Sequence, residues 1–165
     1  MKKFLFVIAM MLSITSFAQI KSANLTASGL TCSMCSKAIY KSLVKVSTIQ
    51  DVKVDIKNSG YLITFKQGVT VSLDAVKKAV ENAGFSVAAL KVTANFDKTE
   101  IGPDTKLSLQ GGTYKFLNSS RQTIQGLKTF IIVDKNYLPP NEHKKYAKNI
   151  TAQSDGAGVY HVTLL

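Results

Sequence analysis

Tryptophan is absent, and the 165 residues include only two cysteines, two histidines, three prolines and a single arginine. Thiols this scarce exclude a disulfide framework built from several pairs. Ser36 stands where c-type haem attachment would require a histidine, which excludes that chemistry. Acidic residues are also few, 10 against 21 basic ones. Such a balance often accompanies nucleic-acid binding. Here, however, the charge sits on scattered lysines, with Arg121 the lone guanidinium able to fork onto a base or phosphate. A solvated lysine surface fits this composition, and so does an electrostatic preference for acidic protein surfaces or anionic headgroups. Nucleic acid is not the expected partner.

Long apolar runs are missing too. The longest, from Phe4 to Leu12, follows Lys2 and Lys3 and precedes Ser16-Phe17-Ala18. That is the layout of a secretory leader cleaved after Ala18, with an apolar centre too short to span a bilayer. The expectation is a secreted or periplasmic protein with no transmembrane segment in the mature chain, and export also argues against nucleic acid. Removing the leader takes away Lys2 and Lys3 and leaves Gln19–Leu165, still strongly basic.

From Ile20 to about Thr93 the pattern reads strand, helix, strand, strand, helix, strand. Ile39, Leu43 and Val46 recur at helical spacing across 33–46, with Lys37, Lys41 and Lys45 off that stripe. Val52, Val54 and Ile56 alternate with Asp51, Lys53 and Asp55, as in a half-buried strand. Asn58-Ser59-Gly60 supplies turn chemistry before the strand Tyr61–Phe65. Ser72 is placed to cap a helix whose apolar face is Leu73, Val76, Val80 and Ala83, and Gly84 to end it. A last strand, 85–92, completes the set. This βαββαβ order predicts an α+β, ferredoxin-like domain with both helices on one face of an antiparallel sheet.

Beyond Phe96 the character changes. Asp97, Glu100, Gly102, Pro103 and Asp104 interrupt the alternation, so the expected organisation is one domain over 19–94 and a small β-rich one over 95–165, barrel- or sandwich-like. Its expected strands surround Tyr114–Phe116, Phe130–Val133 and Tyr160–Leu164, separated by Gly111-Gly112, Gly126 and Gly156. One short helix is expected over 142–149, capped by Asn141. Alternation places His161 on the polar side of its strand, exposed, and His143 likewise on a polar helix. No nucleophile is accompanied by a base, since Ser119-Ser120 stands without a nearby histidine in sequence, and a non-enzyme is expected.

The chemistry concentrates in Gly29-Leu30-Thr31-Cys32-Ser33-Met34-Cys35, at the passage from strand to helix. Two thiols three positions apart at a helix start converge on one small object, either a soft metal ion or a mutual disulfide. A helix N-terminus favours the thiolate, which is the ligand form. Two thiolates suit Cu(I), and Hg(II) or Ag(I) by the same logic. Zn(II) is served less well, because structural sites take four ligands and catalytic sites three from the protein. Met34 is expected to face solvent, and Lys37 is placed to offset the charge of a dithiolate complex. A thioredoxin-like reading is weak, since no proline lies between Cys35 and Pro103.

The same heptapeptide, followed by Ile39 and Leu43, with Ile49, Val52, Val54 and Asp55 downstream and then Val80-Glu81-Asn82-Ala83-Gly84-Phe85, resembles the heavy-metal-associated domain family of copper chaperones, copper-ATPase modules and the periplasmic mercury-binding protein. The resemblance spans roughly 20–93. It implies that Cys32 and Cys35 are metal ligands, that Thr31 shapes the loop, and that Phe85 lies beneath or beside it and limits access. Leu30 replaces the family's usual methionine, a swap that preserves packing. The expected function is Cu(I) capture and transfer to or from a protein with an acidic surface. The alternatives are thiol–disulfide exchange by the same pair, or an envelope interaction module in which the metal domain senses or docks.

Overall fold

The computed structural model describes residues 18–29, 33–55, 57, 60–150 and 158–165. Most of the expected leader lies outside these, as do Leu30, Thr31, Cys32, Ile56, the Asn58-Ser59 turn and Gly156. The elements run β1 (Gln19–Ser28), α1 (Ser33–Leu43), β2 (Ile49–Asp55), β3 (Gly60–Phe65), α2 (Leu73–Asn82), β4 (Ser86–Ile101), β5 (Lys106–Leu109), β6 (Gly112–Phe116), β7 (Gln122–Ile132), α3 (Pro140–Tyr146) and β8 (Val159–Leu164). Among the described residues no helix is long and apolar enough to cross a membrane.

The first half forms as its periodicities dictate. Strands β2-β3-β1-β4 lie side by side and antiparallel, the ferredoxin-like order. Ile39 and Leu43 on α1 and Leu73, Val76, Ala79 and Val80 on α2 are buried against Leu25, Tyr61, Ile63 and Phe65. Ser72 Oγ accepts from the N–H of Ala75 at 3.2 Å, the expected cap. Helix α1 is shorter than its apolar stripe suggested, closing at Leu43, after which Val46 N bonds back to Leu43 O.

Strand β4 departs from expectation. It does not end near Val92 but continues to Ile101, through the break anticipated at 94/95. Its outer edge pairs with β7 from Lys91↔Ile131 to Ile101↔Gln122. One eight-stranded sheet results, in the order β2-β3-β1-β4-β7-β8-β6-β5, in place of a separate barrel or sandwich. The sheet curls: Gln110, in the β5–β6 turn, takes the N–H of Ile20 on its Oε1 at 2.7 Å and the N–H of Val71 on its carbonyl at 2.9 Å. Phe96, Tyr114, Phe116 and Phe130 continue the same buried core as Leu25 and Val76. Phe130 packs edge-on against the other three rings.

Two smaller expectations are also corrected. Gly126 does not separate strands but lies inside β7 opposite Phe96, beside a bulge in the β4 pairing. Helix α3 starts at Pro140, without a side-chain cap from Asn141. Proline suits the first helical turn because no intrahelical acceptor awaits its missing N–H.

Candidate metal loop

Strand β1 delivers the chain to Ser28, and Gly29 turns it at φ +82, a left-handed conformation that a side chain would strain. Leu30, Thr31 and Cys32 follow, outside the described residues. Helix α1 then begins at Ser33, with no acidic residue in its first turn. Cys35 stands on that turn, half-buried. Met34 is 74% exposed, as expected of a loop methionine, and Lys37 is exposed as well.

Phe85 reaches the loop through the end of α2. Gly84 N–H bonds to Glu81 O at 2.9 Å and Phe85 N–H to Val80 O at 3.2 Å, with Gly84 at φ +86. This is the paired closure that glycine permits at a helix end. It aims Phe85 at the start of the loop, where its Cδ1 lies 3.8 Å from the position a Cβ would occupy on Gly29. The side chain is half-buried and packs on the core.

Sequence reasoning missed Tyr61. Only 1% exposed near the start of β3, it donates its phenolic hydrogen to the carbonyl of Ser36 at 3.3 Å. Burial pushes its phenol up; a charge on neighbouring Cys35 pushes the same way, against the Ser36 hydrogen bond. The available signal was its inward position in the alternation Tyr61, Ile63, Phe65, because a buried tyrosine hydroxyl needs a partner.

The two histidines lie elsewhere. His161 is buried at 4% exposure, against expectation. Its Nδ1 is 2.6 Å from Asp134 Oδ1, and its backbone N–H donates to Oδ2 at 2.7 Å. His143, half-buried, lines a cleft between α3 and the ends of β1 and α2, with Ser28, Glu81, Ser86, Leu138 and Lys144.

Cys35 thus stands on the first turn of the helix that follows β1 in a ferredoxin-like βαββαβ unit. Residues 24–86 match the heavy-metal-associated domain family, and the chain contains that domain there. It is 33% identical over 81 residues to copper-transporting ATPases of Helicobacter pylori, a stretch covering 49% of this chain and 10% of theirs. Solved structures similar to it include the CopZ metallochaperone (21% identity, 41% of this chain and 98% of that one, TM-score 0.37). Another is oxidised MerP from Ralstonia metallidurans CH34 (28% identity, 41% and 96%, TM-score 0.37).

Proposed function

We propose that this protein is an exported, non-enzymatic carrier that captures Cu(I) between Cys32 and Cys35 and passes it on. The observation that carries the reading is Cys35 on the first turn of α1, directly after the loop of a heavy-metal-associated domain. The copper named for the similar ATPases favours Cu(I) over other soft ions; Hg(II) and Ag(I) share the chemistry, and Zn(II) finds too few ligands in two sulfurs. Transfer proceeds by ligand exchange without change of oxidation state. A partner's thiolate or thioether bonds to copper, a shared intermediate forms, one original Cu–S bond breaks, and the released sulfur takes up a proton. The excess of lysine supports a donor or acceptor with an acidic surface, drawn in by long-range attraction. The test is titration of the reduced protein with Cu(I) against a competing chelator. Affinity retained by the Cys32→Ser/Cys35→Ser variant overturns the reading.

A further inference from the structure

The stripe that α1 turns toward the sheet is Ser36, Ile39 and Leu43, all buried. Helical spacing calls for an apolar residue at its first position, and a small polar one stands there instead. Beneath lies Tyr61, paired across the sheet with Leu25 on one side and Val54 on the other. The tyrosine brings a hydroxyl into the interior, and it is spent on the backbone carbonyl of Ser36, the residue bonded to Cys35. A carbonyl oxygen has two lone pairs, so it takes this bond alongside its intrahelical one.

We propose that Tyr61 is a positioning residue for the thiol pair: its hydroxyl pins the first turn of α1 from inside and so sets where Cys35 stands. First turns of helices fray, because their N–H groups have no intrahelical acceptors, and a thiol carried on one would wander. A bond from β3 to the carbonyl of the residue that follows the thiol removes that freedom before metal arrives. Two sulfurs held at the right separation grip an ion more tightly than two that must first be brought together. The role deepens the copper reading and rests on it for its purpose, but its structural effect exists in the metal-free protein.

The experiment uses the reduced, metal-free full-length chain and compares wild type with Tyr61→Phe, which keeps the ring and loses only the hydroxyl. Iodoacetamide is added at fixed pH, and the alkylation rates of Cys35 and Cys32 are followed separately by mass spectrometry. Releasing the turn should raise the Cys35 rate relative to Cys32 by about 3–10-fold, the equilibrium worth of one hydrogen bond. Cu(I) affinity, measured by chelator competition, should fall by a similar factor. An unchanged rate ratio overturns the proposal, since a ring that merely fills space is the same in both proteins. Tyr61→Leu, which removes the ring as well, reports the packing contribution through its denaturation midpoint. If wild type binds Cu(I) no better than the double-serine variant, the copper reading fails while the alkylation ratio still judges Tyr61.

Discussion

Tyr160 on β8 donates its hydroxyl hydrogen to the Asp74 carboxylate at 2.9 Å, across 86 positions of sequence. Tyr137 donates to the other oxygen at 2.8 Å, and Lys77 pairs with the same group at 3.0 Å. Asp74 occupies the first turn of α2, where the helix dipole already favours a negative charge. One carboxylate thus fastens the helix that aims Phe85 to the strands of the second half.

This clamp should make stability depend on acid. Partial burial alone would raise the Asp74 carboxyl, but hydrogen bonds from Tyr137, Lys77 and Tyr160 outweigh it and hold the group below its usual range. A carboxyl depressed in the folded state stabilises fully above its unfolded pKa of about 3.9 and loses that contribution as pH falls through the folded value. Asp74→Asn should therefore cost about 1–2 kcal/mol at pH 7 in urea denaturation, toward the low end because the side chain is 58% exposed and screened. Its deficit against wild type should shrink below about pH 4. A deficit independent of pH would contradict the clamp.

The shared core predicts how the protein unfolds. Phe130 touches Phe96, Tyr114 and Phe116, and the core they belong to runs on under α1 and α2. Truncating it should cost about 3–5 kcal/mol. In Phe130→Ala the loss should be felt in the first half too: the alkylation rate of Cys35 moves to its unfolded-chain value at the same urea concentration at which far-ultraviolet circular dichroism reports loss of strands. Two separated transitions would mean that the halves fold independently.

The first half was legible because its signals are local. A cap at Ser72, a glycine at 84 and apolar residues at helical or alternating spacing act within a few positions of themselves. The continuation of β4 was hidden by its bulge. Burial alternates through Leu90, Val92, Ala94 and Phe96 and resumes at Ile101, five positions on, because the irregularity between Phe96 and Thr99 shifts the phase by one. An alternation that changes phase reads as an alternation that has stopped. His161 was misplaced for a different reason. It does point away from the main core, in register with Lys115, but that side is covered by Leu117, Val133 and Leu138 with Tyr146 and Ile150. No local pattern announces a cover supplied by segments distant in sequence.

A histidine held by a carboxylate under such a cover is expected to be structural. Asp134→Ala strips His161 of partners for its ring nitrogen and its backbone N–H, and leaving these polar groups buried should cost about 1–3 kcal/mol. Cu(I) affinity should stay at the wild-type value when read by chelator competition under conditions where the variant is folded. A loss of affinity beyond the loss of folded protein would bring this pair into the metal chemistry.

The flanks of the loop should separate binding from release. Met34 projects into solvent at 74% exposure, with its thioether turned away from packing, so Met34→Ala should leave Cu(I) affinity unchanged. Phe85 has the opposite setting, half-buried and packed beside Gly29. Its truncation removes bulk beside Gly29, next in the chain to the stretch that holds Cys32, without removing a sulfur. Phe85→Ala should therefore accelerate Cu(I) extraction by a chelator in stopped-flow measurement, while equilibrium affinity changes by less than about tenfold, or roughly 1.4 kcal/mol. The bulk of the ring, and not its aromaticity, is the barrier in this account, so Phe85→Leu should fall between the two. An extraction rate equal in all three proteins would show that ligand exchange approaches from the solvent side alone.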